Sequence, residues 1–320
     1  MELMTDMNND PALVTDKFRT IGTDISIDIV VNSESEKRKA VAELEAAKNI
    51  FSRNEKVFSR FQEDSELSGI NKNLGKELRV SLSMMEVLEL CLRYYQESQG
   101  YFDPRIIGNL EKIGYTKDFK NHDLNSGEEI IEVLEKISGK LEEDLILNKD
   151  KKTVLVKKRI DTTGIAKGYI VDQVAERLKA KGFENFIVDA GGDMFAEGLN
   201  EKREAWMVGV EGCENSCLML KLSGEGIATS GISRKRWQKG SKKVHHLINP
   251  KDPDNFSHNL KTVTVIKDKA VEADGKAKVL FLMGLPDGMK FANVTNLKAL
   301  FLDYKGNIFL SEAIKKHIVK

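Results

Sequence analysis

The chain has 320 residues, with 50 Lys plus Arg against 50 Asp plus Glu, so its formal net charge is zero. A balanced chain lacks the basic excess that bulk nucleic-acid binding needs, while 41 % hydrophobic residues suffice for a sizeable core. No run of about 18 apolar residues occurs, so no membrane span is expected.

Residues 1–15, polar and rich in Asn and Asp, read as a flexible leader before a single unit over 16–320. With no basic n-region and no apolar h-region, the start of the chain carries no secretion signal, and a cytoplasmic location is expected. From Phe18 the pattern is strand-like, with Ile25, Ile27 and Ile29 alternating with Ser26 and Asp28. Gly22 reads as a bulge or a point of close approach by a ligand. Helical spacing follows over 35–57 and 81–98, the latter stopped by Gly100. A short helix is predicted over 128–137 and a hairpin over 145–156. In the second half, a helix over about 165–181 ends at Gly182. Strands are predicted near 185–189, 194–198, 205–211, 217–223, 244–248 and 261–267. A helix over 270–284 precedes strands near 297–303 and 307–310. Strands come in runs and do not alternate with helices. The expected class is α+β, one large unit with an N-terminal helical region and a strand-rich C-terminal half.

Several segments have residue types suited to anion chemistry. Asp161-Thr-Thr-Gly-Ile-Ala-Lys-Gly-Tyr169, closed by Asp172, runs into a helix whose free N–H groups favour an anion. Gly164 and Gly168 permit close backbone approach, and Lys167 adds charge. The plainer reading is a helix start capped by Thr162 or Thr163. Val188-Asp-Ala-Gly-Gly-Asp193 is either a tight turn or a backbone wall against a flat ligand. Residues 227–231 read as a small-residue loop. In His245-His246, strand geometry sends adjacent rings to opposite faces, so at most one faces a given site. Such a histidine is a plausible general base or a satisfied core residue. Asp274 with Lys278 four residues on is either a helix ion pair or part of a phosphate-bound cation site. Tyr101-Phe102-Asp103-Pro104 is a core turn or a platform for an aromatic ring.

Taken in series, these segments resemble the ApbE-type FAD:protein FMN transferase family, from about Phe18 to Leu310. The landmarks are Thr20-Ile-Gly-Thr23, Phe58 through Leu67 with Asn71, and Gly100 to Pro104. Asp161 to Asp172, Val188 to Asp193, Ala228 to Gly231, His246 to Pro250 and Ala273-Asp274 with Phe281 to Gly284 complete them. The resemblance implies a magnesium-dependent transfer in which FAD is split at its diphosphate. FMN passes to a Thr or Ser hydroxyl of an acceptor flavoprotein, and AMP leaves. It assigns Ile21, Phe61, Tyr101, Phe102, Asp103, Asp161 and Lys167 to FAD and Ile248 to the flavin pocket. It gives the Gly164 carbonyl and the Asp274 carboxylate to Mg2+, and makes His246 the base. Hydrolysis of FAD to FMN and AMP at the same site, or flavin binding without chemistry, are the alternatives. Three positions depart from the family pattern. Ile21 replaces Met, and Asn249 replaces Asp. Lys278 stands where the family has a metal-ligating Thr. An ammonium cannot ligate a metal, so the expectation is either Mg2+ with fewer protein groups or a lysine that supplies part of its charge.

Overall fold

Strands β1 (Ala12–Thr20) and β2 (Thr23–Val31) form an antiparallel hairpin closed by Ile21 and Gly22, both at positive φ. This is the two-residue turn whose twist matches paired strands. The structure, a computed structural model, describes residues 11–116, 133–213, 218–233 and 235–319. Helix α1 (Glu34–Phe58) starts at Ser33, whose side chain accepts from the Glu36 N–H. It buries Ala40, Leu44, Ala47, Ile50 and Phe51. Then come α2 (Glu66–Lys72), β3 (Glu77–Arg79), α3 (Leu82–Glu97), α4 (Ile107–Lys112) and α5 (Leu141–Asp144). The hairpin β4 (Leu145–Asn148) and β5 (Thr153–Val156) adds β3 at its edge.

Helix α6 (Thr163–Ala180) leads to β6 (Phe186–Ala190), β7 (Met194–Glu197), β8 (Trp206–Gly209) and β9 (Met219–Leu222). The chain continues through β10 (Glu225–Gly231), β11 (Arg236–Lys239), β12 (Lys242–His245) and β13 (Leu260–Lys267). Helix α7 (Ala270–Val294), β14 (Lys298–Asp303), β15 (Ile308–Leu310) and β16 (Ile318–Val319) complete it. The main sheet has eight strands in the order β1-β2-β6-β7-β10-β13-β14-β15, every pair antiparallel. One large core joins the sheet to α1, α3 and α6 through Ile27, Ile29, Phe51, Leu88, Val171 and Phe186. Each such side chain contributes about 1.5–3 kcal/mol by leaving water. The α+β expectation holds. No helix among the described residues is long and apolar enough to cross a membrane.

Four sequence expectations need correction. Residues 12–15, assigned to the leader, belong to β1, where Val14 pairs with Ile29 and packs on the core; residues 1–10 lie outside the described residues. Gly22 is not a bulge but half of the hairpin turn. Residues 133–137 are not helical, because the Asn109 side chain bonds the Glu135 backbone N–H and carbonyl and the Ile137 N–H bonds the Pro250 carbonyl. The remainder of that predicted helix, 128–132, lies outside the described residues. Residues 227–231 are not a loop but most of the central strand β10. Its small residues let α7 lie on it: a Cβ on Gly226 would stand 2.3 Å from the Ala270 nitrogen.

Candidate active site

Helix α6 begins without a side-chain cap from Thr162. Asp161 takes that part, accepting from the Thr163 N–H at 2.8 Å through Oδ1. Its Oδ2 lies 3.3 Å from Arg60 Nε, with both side chains only 3 % exposed. The Arg60 guanidinium lies 4.2 Å from the Phe61 ring centre and 4.6 Å from that of Tyr115. It also donates to the Tyr115 carbonyl at 2.7 Å. Tyr115 in turn meets His246 edge-on, ring centres 6.4 Å apart. Asp161, Phe61 and His246, spread over 186 residues (61 to 246), are thus joined by Arg60 and Tyr115. Sequence reading gave no role to either linking residue. Arg60 sits inside a quoted motif, but nothing local signals its ion pair with a residue 101 positions away (161 − 60).

In the first turn of α6, Gly164 is approached from two sides. An ideal Cβ there would lie 3.3 Å from both Lys278 Nζ and a Phe102 ring carbon. Lys278 donates to the Gly164 carbonyl at 2.5 Å and to Asp274 Oδ1 at 3.3 Å. Asp274 Oδ2 is buried with no hydrogen-bond partner. The position of α7 is set from α6. The two oxygens of Asp172 accept from the Ala270 and Val271 N–H groups at 2.8 and 3.0 Å, capping the start of α7. Gly168 packs so closely that an added Cβ would stand 2.7 Å from the Ala270 carbonyl oxygen and from Val271 Cα.

Lys167, next on this face of α6, pairs with Asp193 in the β6–β7 turn. Burial works against the Lys167 ammonium, but the Asp193 and Asp274 carboxylates outweigh it and hold it charged. Burial and the Asp274 charge push Asp193 up, opposed by Lys167 and Lys278. The same turn holds Gly191 so near Thr23 that no Cβ would fit, which sets the start of β2 against this turn. Ile21 itself is anchored by Glu55, which accepts from its N–H at 2.8 Å.

The two histidines point apart. His245 is buried among Phe256, His258 and Phe281. His246 faces Tyr115 and the Lys235 carbonyl, 3.4 Å from its Nδ1. A carbonyl only accepts, so this contact places the proton on Nδ1 and leaves the Nε2 lone pair free. Burial, followed by the charges of Lys235, His245 and Lys278, holds His246 well below the usual imidazole range. It is therefore neutral at pH 7.

The remaining predicted residues have partners of their own. Phe102 is buried against Tyr94. Tyr101 lies under Lys251, its ring centre 4.2 Å from Nζ. The Asp103 carboxylate is taken by Arg105, which donates to Oδ1 at 3.0 Å and to Oδ2 at 2.7 Å and also reaches Asp144. Asp103 thus braces the turn through Arg105. Ile248 lies in a small apolar cluster with Leu110, Ile113 and Trp237.

The donor set does not suit a divalent ion. Mg2+ wants about six oxygen ligands in near-octahedral array. Here the Gly164 carbonyl and Asp274 Oδ1 are engaged by an ammonium, which leaves Asp274 Oδ2 as the one open oxygen of the pair, and no cluster of three His, Cys, Asp or Glu among the described residues could hold a metal.

Residues 21–301 match the ApbE family. The chain is 28 % identical over 276 residues to the FAD:protein FMN transferase of Haemophilus influenzae, covering 81 % of this chain and 78 % of that one. It is 27 % identical over 279 residues to the enzyme of that name from Buchnera aphidicola, covering 83 % and 81 %. Among solved structures, the ApbE protein of Thermotoga maritima superposes with a TM-score of 0.81 at 25 % identity, over 97 % of this chain and all of that one. The apo flavinyl transferase ApbE of Pseudomonas stutzeri gives 0.78 at 21 % identity over the full length of both.

Proposed function

This chain belongs to the ApbE family, and from that membership we propose that it transfers FMN from FAD to a Thr or Ser hydroxyl of an acceptor protein. The observation that carries the reading is the run of contacts that joins His246, through Tyr115 and Arg60, to Asp161 at the amino end of α6, where Lys278 holds the Gly164 carbonyl. Phosphoryl transfer is chiefly positioning and charge neutralisation. Here the Lys278 and Lys167 ammonium groups supply the positive charge that a bound diphosphate needs. Phe61, Tyr101, Phe102 and the Ile21 turn line the path of the dinucleotide, with Ile248 behind the flavin and Asp161 fixing the helix start. His246 Nε2 takes the proton of the acceptor hydroxyl. The oxygen attacks the phosphorus of the FMN half, the bond to the AMP half breaks, and AMP leaves with the electron pair. The proton on His246 then passes to AMP or water. No step runs through the Mg2+ that the resemblance implies, because Lys278 holds the Gly164 carbonyl and Asp274 Oδ1.

The test is His246→Ala with FAD and an acceptor domain. FAD affinity, read by flavin fluorescence, should change less than about threefold, while acceptor labelling falls about a hundredfold or more. Free FMN without labelling in the native protein identifies hydrolysis instead. Intact FAD after prolonged incubation identifies binding alone. Unchanged labelling in His246→Ala removes His246 from the reaction.

A further inference from the structure

The corner formed by Gly164, Asp274 and Lys278 has the parts of a cation site with the cation already in it. Lys278 Nζ bridges the Gly164 carbonyl at 2.5 Å and Asp274 Oδ1 at 3.3 Å, and its side chain is only 17 % exposed. The Asp274 side chain is 5 % exposed. Lys278 and Asp274 are one turn apart on α7, and Asp172 and Gly168 fix that helix against α6. The Lys278 side chain is therefore brought to the Gly164 carbonyl by rigid elements, not by a loop.

We infer that the Lys278 ammonium is the resident cation of this site and that the chain carries out its diphosphate chemistry without a divalent ion. This rests on the transferase reading above. An ammonium has three N–H donors and no lone pair. Two of its protons satisfy Gly164 O and Asp274 Oδ1. The third faces a non-bridging oxygen of the diphosphate and stabilises the charge that builds there as the bond to AMP breaks. A divalent ion entering the same corner would need the Gly164 lone pairs that Lys278 uses. It would also lie within a few ångströms of a fixed positive charge, in a site too buried for solvent to screen the repulsion. Asp274 balances the ammonium in the absence of FAD and holds it in place, so it acts here as a positioning residue.

The experiment uses the full chain, stripped with EDTA, and two readouts. The first is FAD turnover with an acceptor domain across a Mg2+ titration. The native protein should keep its rate within about twofold from chelator to millimolar Mg2+, whereas Lys278→Thr should fall at least about tenfold in chelator and recover with Mg2+. The second is Mn2+ binding followed by electron paramagnetic resonance, which needs no turnover. Native protein should leave Mn2+ free, and Lys278→Thr should gain a stoichiometric site. A native enzyme that dies in EDTA and revives with Mg2+, or one that binds Mn2+ as tightly as Lys278→Thr, overturns the proposal. If Lys278→Thr does not fold, Mn2+ binding by the native chain decides alone: one stoichiometric site refutes, free Mn2+ supports. If neither protein labels an acceptor under any condition, the transferase reading fails, and the Mn2+ comparison still decides the cation.

Discussion

Replacing Gly168 by Ala should loosen the whole reacting corner although Gly168 touches none of the groups there. The added Cβ would stand 2.7 Å from the Ala270 carbonyl oxygen and from Val271 Cα. Both are backbone atoms, so no side chain can swing aside. Restoring ordinary contact at about 3.4 Å requires α7 to move off α6 by about 0.7 Å. The same movement stretches the Asp172 bonds to Ala270 and Val271, now 2.8 and 3.0 Å, to about 3.5 Å or beyond, where they weaken sharply. It also opens the Lys278–Gly164 contact from 2.5 Å to about 3.2 Å. Overpacking of this kind costs about 1–3 kcal/mol, and loosening two charge-assisted bonds adds about 1 kcal/mol. Helix propensity works the other way, favouring Ala over Gly by up to about 1 kcal/mol. The net expectation is a loss of about 1–4 kcal/mol, read by urea unfolding as a lower midpoint at unchanged slope. Turnover should fall about tenfold, the usual scale when reacting groups are misplaced by a fraction of an ångström. Gly69→Ala in α2 is the control, since its Cβ would meet nothing within 4 Å and propensity alone should stabilise it slightly. If Gly168→Ala is as stable as native protein and equally active, the account of how α6 positions α7 is wrong.

Removing Arg60 should be costly, because it strands Asp161 at 3 % exposure. Arg60→Ala is expected to lose about 3–5 kcal/mol in chemical denaturation and to weaken FAD binding, whereas loss below about 1 kcal/mol would show the ion pair to be incidental. His245 gives a pH signature. Burial lowers it to about 4 from an ordinary 6.5. The folded state therefore binds fewer protons than the unfolded chain between those values. The corresponding stability is present above about pH 6.5 and is lost as pH falls toward 4, by up to about 3 kcal/mol. His245→Gln should flatten that part of the stability–pH curve relative to native protein; parallel curves would place His245 in water.

The fold was legible where periodicity and turn chemistry carry it. The apolar alternation of β2 and the strand runs after residue 185 sufficed for an α+β unit. Strand β10 was hidden because its Gly and Ala residues are chosen for the approach of α7, and such residues carry no strand propensity. Gly22 was visible as a special position, but β1 was partly read as leader, so the hairpin it closes was not. The separated motifs do converge: Asp161, Gly164 and Lys167 lie along the first turns of α6, with Phe102, Asp274, Asp193 and His246 around them. What the sequence could not show is who holds whom. Arg60, Tyr115 and Asp193 act through partners far away in the chain, and the Arg105 that holds Asp103 is itself held by Asp144, 39 residues further on. Lys278 was conspicuous as a departure. Its hold on the Gly164 carbonyl needed the crossing of two helices fixed by Gly168 and Asp172.

The central claim is that FMN is joined to a hydroxyl of another protein as AMP departs. The direct measurement is the stoichiometry of a single incubation with FAD and a purified acceptor domain. AMP is quantified by chromatography, and covalent FMN on the intact acceptor by mass spectrometry. The account predicts one AMP for each FMN attached, with the label lost when the acceptor Thr or Ser is changed to Ala. AMP accumulating alongside free FMN, with the acceptor unmodified, would contradict it.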